Sequence, residues 1–158
     1  MIEGVEAMEA VGDYFDAFLS DLTPARRKMV ARKLGQRMRR LNTARIAKNV
    51  EPDGGPMAKR KPRFDRDGKK VRRGRMFRKL RLARQYEIHP SADGVELRTR
   101  DQVARLAKVH QFGLVDRVGR SKDGRIIRTR YERRRLLGFG DDDLDQITEE
   151  LLAWLDHD

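Results

Sequence analysis

The side chains that could perform acid–base or metal chemistry are few in this sequence and lie far apart. Its three histidines are His89, His110 and His157, and it contains no cysteine. Catalysis needs a nucleophile with its base, a carboxylate pair in a pocket, or a metal cluster. His110 falls on the apolar side of a short predicted helix, where a hydrogen-bonded structural histidine is favoured over a ligand or a base. The sequence therefore predicts that the protein is not an enzyme, with no catalytic residue, metal site or cofactor.

Two acidic or glycine-rich stretches have a simpler explanation than ligand binding. Asp141, Asp142, Asp143 and Asp145 could be drawn as a cation site, but carboxylates at the start of a helix are stabilised by its dipole. We therefore interpret these aspartates as the start of a helix rather than as a cation site. Gly138-Phe139-Gly140 lacks the strand and phosphate-loop context of a nucleotide-binding motif.

A dense basic tract in the middle of the chain could bind nucleic acid, because its cations can neutralise several phosphates. Phe64 and Phe77 are its only aromatic residues, and neither a zinc-finger spacing nor a helix-turn-helix partner accompanies it. Sequence-independent DNA binding is therefore the competing function. The candidate residues are Lys59, Arg60, Lys61, Arg63, Lys69, Lys70, Arg72, Arg73 and Arg75.

Three amphipathic helices must position these residues. Helical spacing predicts a first helix from Met8 to Leu22 and a second that Thr23 caps, that Pro24 begins, and that ends near Lys48. The apolar face of the second helix is Val30, Leu34, Met38 and Leu41. The last helix follows Gly140 and has an apolar face made of Leu144, Ile147, Leu151, Leu152 and Leu155.

Strand signals lie between the second and the last helix. Tyr86 to Leu97 reads as a β-hairpin, Asp101 can cap a short helix that Gly113 ends, and residues 125–131 form a further strand after a turn. The sequence thus predicts an α+β fold, in which amphipathic helices pack on a small antiparallel sheet. We expect one domain over residues 1–158, with a flexible basic arm at residues 50–75, where apolar residues are too few to offset ordering.

Charge is strongly segregated along the chain. Residues 1–22 hold six acidic and no basic residues, and residues 139–158 hold eight acidic and none basic. Residues 23–138 therefore contain all 37 basic residues and 11 acidic ones, which gives this part of the chain a net charge of +26. Such a distribution can steer the protein onto DNA, or let the acidic ends of one copy meet the basic middle of the next. A purely solubilising pattern is the third interpretation.

No stretch approaches the roughly 18 apolar residues of a membrane span, and Met1 to Glu6 lack the features of a signal peptide. We expect an intracellular protein without a membrane partner.

Five stretches together resemble the phage virion morphogenesis family, which includes tail completion proteins of contractile-tailed phages. Met57 stands where that family is expected to have tryptophan, and Glu132 and Arg134 interrupt a segment that often contains proline. The stretches are Leu22 to Arg27, Pro52 to Met57 with basic residues after it, Met76 to Arg81, His110 to Gly113, and Tyr131 to Gly138.

The resemblance implies a non-enzymatic structural protein of the virion that completes the tail or neck, assembled in the host cytoplasm. It implies a hexameric ring at the head-proximal end of the tail, with the tail tube, the sheath or neck proteins as partners. Whether DNA that passes through the ring is also a partner is left open. The candidate interface consists of Met76, Phe77, Arg78, Leu80, Arg81, His110, Gln111, Phe112, Arg133, Arg135, Leu136, Asp141, Asp142 and Asp143.

Overall fold

A computed structural model describes residues 20, 22–72 and 74–155 of the chain. Arg73, His157 and all of the predicted first helix except residues 20 and 22 lie outside the described residues. The elements are α1 (Pro24–Lys48), a 3₁₀ turn (Ala83–Gln85), β1 (Tyr86–Pro90), β2 (Val95–Thr99), α2 (Asp101–Phe112), β3 (Val115–Arg120), β4 (Ile126–Arg130) and α3 (Asp141–Leu155). None of the helices in these ranges is long and apolar enough to cross a membrane.

The ends of the helices follow local sequence signals. Thr23 accepts a hydrogen bond from the Arg26 N–H at 3.3 Å, and Pro24 occupies the first turn of α1, as predicted. Asn49 ends α1 at φ 57°, and Gly113 ends α2 at φ 64°, a left-handed conformation that glycine adopts readily. Asp101 is the first residue of α2 rather than its cap, since Arg100 holds the cap position without a side-chain bond.

The strands pair in antiparallel fashion, as predicted, but in two separate ribbons. The β1–β2 ribbon pairs Tyr86 with Thr99 and Pro90 with Val95. It packs against α1, whereas β3 and β4 contact mainly each other. The last helix, α3, also packs against α1, where Arg37 donates to the Gln146 side chain at 2.7 Å. The structure is therefore α+β, with α1 as its central element.

Two faces of α1 point inward. Ala31, Gly35, Asn42 and Ile46 are buried, and Gly35 lies against Ile88 and Val95 of the β1–β2 ribbon. Leu34, which we predicted on the buried stripe, is half-buried beside Ile147 and Leu151 of α3. The helix thus has a small-residue face toward the ribbon and a second face toward α3.

A small core joins α1, β1, α2 and the irregular segments between them, and none of its buried members lies in α3 or in the β3–β4 ribbon. Its buried members are Ile46, Met57, Phe77, Leu80, Tyr86, Val103, Ala107 and Leu136. Burial raises the pKa of Tyr86, whose hydroxyl donates to the Leu80 carbonyl at 2.5 Å. Met57, the residue that departs from the family pattern, is 4% exposed and fills this core.

The predicted arm divides into a packed half and an exposed half. Residues 50–58 return along the end of α1 through the Val50–Pro56 bridge and a bond from the Met57 N–H to the Asn49 carbonyl. Every described residue from 59 to 72 is exposed, and residues 63–71 turn back on themselves through a Phe64–Lys70 bridge. Residues 50–58 therefore belong to the domain, and the mobility of residues 59–75 stays a prediction.

Candidate functional site

His110 is buried between two aromatic rings and bound to Arg134. Phe77 and Tyr131 meet its ring edge-on at centroid distances of 4.9 Å, and its Nδ1 lies 3.1 Å from an Arg134 guanidinium nitrogen. Burial, with help from Arg134 and Arg60, lowers the pKa of His110 to about 4. The ring is therefore neutral at pH 7, and Nδ1 accepts the bond from Arg134, since an arginine can only donate.

Arg134 holds the segment after β4 against the segment after α1. It is 4% exposed and donates to the carbonyls of Ala58 at 2.6 Å, Lys59 at 3.1 Å and Glu132 at 3.2 Å. Burial lowers the pKa of this guanidinium, but an arginine stays charged at neutral pH. In the sequence, Arg134 stands out only as a departure from the family pattern, which does not predict its central position.

Gln111 anchors the same segment to α2. Its side-chain oxygen accepts from the N–H groups of Leu136 at 2.7 Å and Leu137 at 3.0 Å. Its amide nitrogen donates to the Leu137 carbonyl at 3.0 Å. The segment after β4 has no regular secondary structure, and these bonds satisfy backbone groups that would otherwise be buried without partners.

A buried polar cluster connects α1 with the start of α3. Arg45 forms a salt bridge with Asp143 and donates to the Gly138 carbonyl at 2.8 Å. Asn42 accepts from the Gly138 N–H at 3.0 Å, and Asp143 accepts from the Gly140 N–H at 2.9 Å. Sequence reasoning did not find Asn42 or Arg45, although an asparagine next to the apolar face of a long helix signals a buried hydrogen bond.

The structure places the candidate interface residues in three environments. Phe77, Leu80, His110, Leu136 and Asp143 are buried, and the first two and Leu136 share the core. Met76, Gln111 and Arg135 are half-buried, and Arg135 is bridged to Glu51 and Asp53. The exposed residues are Arg78, Arg81, Phe112, Arg133, Asp141 and Asp142. The buried set stabilises the fold, so only the exposed set is fully accessible for contact with a partner.

A basic groove of about 660 Å³ runs between the exposed half of the arm and the β3–β4 ribbon. His110, Tyr131 and Arg134 lie in the groove, and Glu132 is the one acidic residue among its lining side chains. The basic residues in the groove are Arg60, Lys61, Arg63, Arg117, Arg130 and Arg134.

The β3–β4 ribbon exposes apolar as well as basic side chains. Val115, Val118, Ile126 and Ile127 are between 45% and 51% exposed, and the neighbouring Phe112 is 60% exposed. An isolated two-stranded ribbon is marginally stable in water, and burial of these apolar side chains against a partner would stabilise it.

Within the described ranges, no three histidine, aspartate or glutamate side chains come close enough together to hold a metal ion. The arrangement offers instead a basic groove, an exposed ribbon and a scaffold of buried polar bonds.

Comparison with known proteins gives two matches. The profile of the phage virion morphogenesis family matches residues 7–156. Tail completion protein S of Escherichia phage P2 is 31% identical over 145 residues, which are 91% of this chain and 94% of that protein. No solved structure is significantly similar to the chain.

Proposed function

Because the chain belongs to the phage virion morphogenesis family, we propose that it is a structural subunit that completes the phage tail at its head-proximal end and enables head–tail joining. The observation that supports this most directly is the similarity to tail completion protein S over nearly the full length of both chains. A non-enzymatic role agrees with the neutral, buried state of His110.

The proposed partners are copies of the chain itself, in a hexameric ring, and proteins of the tail tube, sheath or neck. The exposed apolar residues of the β3–β4 ribbon support this, because a partner that covers them would remove apolar surface from water. The virion tail is the proposed location, after assembly in the host cytoplasm.

The experiment measures the mass of the purified protein alone and its retention on tails that lack it. We expect a ring or a tail-bound form for the wild type, and loss of both for Val118→Thr with Ile127→Thr, since threonine keeps strand propensity but removes apolar surface. Met29→Gln, at a residue of α1 that is 46% exposed, is the matched control and should assemble normally.

A protein that stays monomeric with tails present, and whose absence leaves tail completion unimpaired, would contradict the proposed function. Sequence-independent DNA binding is the second candidate, and the basic groove favours it.

A further inference from the structure

The β3–β4 ribbon gathers its arginines on one face. Arg117 pairs with Arg128, Arg120 with Ile126, and Val115 with Arg130. Paired residues share a face, and residues two apart in one strand share it as well. Arg117, Arg120, Arg128 and Arg130 therefore lie on the same face, and all four are exposed.

A β-bulge makes this arrangement possible. The register shifts between Arg117 and Gly119, so that Val118 is the extra residue. In a regular strand, residues three apart point to opposite faces, which would separate Arg117 from Arg120. The bulge places both on the arginine face, whereas on the other face Asp116, Gly119 and Thr129 are half-buried and Ile127 is 45% exposed.

The arginine face continues into the basic groove. Arg117 and Arg130 belong to both, and Arg60, Lys61 and Arg63 approach from the opposite wall. Arg60 donates to the carbonyls of Gly74 at 3.3 Å and Arg75 at 3.2 Å. These two hydrogen bonds hold the two ends of the exposed arm next to each other, beside the ribbon.

A buried positive charge lies at the bottom of the groove. The guanidinium of Arg134 is held by three carbonyl oxygens and the neutral His110. In the part of the chain that the structure describes, no carboxylate forms a salt bridge with it. Carbonyl groups orient the guanidinium but do not cancel its charge, so the groove keeps a positive potential that attracts an anion.

We propose that the arginine face of the ribbon and the basic groove form one binding surface for double-stranded DNA, recognised through its phosphate backbone. DNA carries charge of one sign along its whole length, which matches cations supplied by three separate segments. A two-stranded ribbon has the width that the major groove admits. The proposed contacts are to phosphates, which carry no sequence information directly, so we expect binding to depend little on base sequence.

An acidic helix from a second copy is the competing ligand for the same surface. Such a helix presents carboxylates on one face and apolar residues on the other, as residues 1–22 do in their sequence pattern. To bind such a helix, the ribbon would need a strip of apolar residues beside its cations. The arginine face has only two apolar residues, Val115 and Ile126. The observed face therefore favours DNA.

The test is a fluorescence-anisotropy titration of a 30-base-pair duplex of arbitrary sequence with the full chain at several salt concentrations. Arg117→Glu with Arg130→Glu should weaken binding by about tenfold or more and reduce the salt slope by about 2, one for each lost phosphate contact. A scrambled duplex should bind equally well. Lys28→Glu with Arg32→Glu changes the net charge equally on the exposed side of α1 and is the matched control.

The conservative pair Arg117→Lys with Arg130→Lys should retain most binding, which separates loss of charge from loss of fold. Light scattering in the same buffer reports the mass of each variant, so failure of the tail role and failure of DNA binding are distinguishable. Equal losses in the ribbon variant and the α1 control would overturn the proposal, because net charge alone would then explain binding. A ribbon variant that loses self-association but keeps DNA affinity would also overturn it, in favour of the acidic helix.

Discussion

At the scale of single residues, Gly35 marks the closest approach between α1 and the β1–β2 ribbon. A Cβ atom there would lie 2.5 Å from Ile88 Cγ2 and 2.7 Å from Val95 Cγ2. Alanine normally stabilises a helix relative to glycine by roughly 0.5–1 kcal/mol. We predict the opposite for Gly35→Ala, a loss of about 1–3 kcal/mol from overpacking, measured by urea denaturation.

Gly74→Ala is the control for this prediction, since a Cβ there meets nothing within 4 Å and the backbone is not left-handed. It should leave the free energy of unfolding nearly unchanged. A stabilised Gly35→Ala variant would show that the helix and the ribbon are not packed at this distance.

The second residue-scale prediction concerns pH. The pKa of His110 is about 4 in the folded protein and about 6.5 in an unfolded chain. Between these values the unfolded state binds the additional proton, so stability falls as pH decreases from 6.5 to 4, by up to about 3 kcal/mol. We predict that His110→Gln removes this part of the pH dependence, because glutamine can accept from Arg134 without titrating.

The measurement compares urea denaturation of wild type and variant at intervals from pH 7 to pH 4.5. His89→Gln replaces an exposed histidine and should keep the wild-type slope. A His110→Gln variant with an unchanged slope would mean that His110 is not buried in its neutral form.

At the scale of elements, the salt bridge between Arg45 and Asp143 fixes α3 on α1. Asp143 is buried and Arg45 is half-buried, and removal of one partner of such a pair leaves an uncompensated charge. We predict that Asp143→Asn destabilises the protein by about 3 kcal/mol, measured by chemical denaturation. Asp142→Asn, at an exposed position in the same turn, should change stability by less than about 1 kcal/mol.

The exposed half of the arm gives a prediction about proteolysis. Every described residue from 59 to 72 is exposed and this stretch holds few apolar groups, so little free energy offsets the entropy of ordering it. We predict that trypsin cuts the free subunit first between Lys59 and Arg75 and leaves the basic helix α1 intact for longer. Mass spectrometry of the early fragments identifies the sites, and initial cleavage within α1 would contradict this.

Sequence patterns predicted the elements better than they predicted the contacts between them. Thr23, Pro24 and Gly113 set helix ends through their own backbone chemistry, so the ends of α1 and α2 could be predicted closely. The burial of Arg134 and Asp143 depends on partners distant in sequence, Ala58 and Arg45. Local periodicity contains no information about such pairs, and charge at these positions suggests exposure.

The same difference explains the candidate interface. The stretches that resemble the family contain residues that hold the domain together, such as Phe77 and Leu136 in the core. The sequence alone does not distinguish a family-like stretch that stabilises the fold from one that binds a partner. The arginine face of the ribbon could not be predicted either, because the bulge at Val118 changes the alternation that a regular strand would have.

At the scale of the whole molecule, segregated charge gives a prediction about assembly. If the acidic start of α3 meets basic surface of a neighbouring subunit, association weakens as salt rises, because screening acts over about 8–10 Å at physiological ionic strength. We predict that Asp141→Lys with Asp142→Lys impairs ring formation or tail attachment, measured by light scattering and tail retention. Asp143 is left unchanged, since its salt bridge with Arg45 belongs to the fold.

DNA affinity of the same variant separates the two functions. Lysines at these positions remove repulsion from phosphate, so affinity for DNA should stay equal or rise. Normal assembly together with tighter DNA binding would contradict the connector role of the acidic helix start.

The bonds that the segment after β4 makes also determine when the protein can fold during its synthesis. Leu136 completes the core, Gly138 bonds to Asn42, and Asp143 pairs with Arg45. About 100 residues separate the partners of the last pair, and at translation rates of about 5–20 residues per second the ribosome needs roughly 5–20 s to make them. For that interval the nascent α1 has an unpaired Arg45 and an open core. A nascent chain that ends before Leu136 therefore lacks the contacts that complete the core and that attach the segment after β4 to α1.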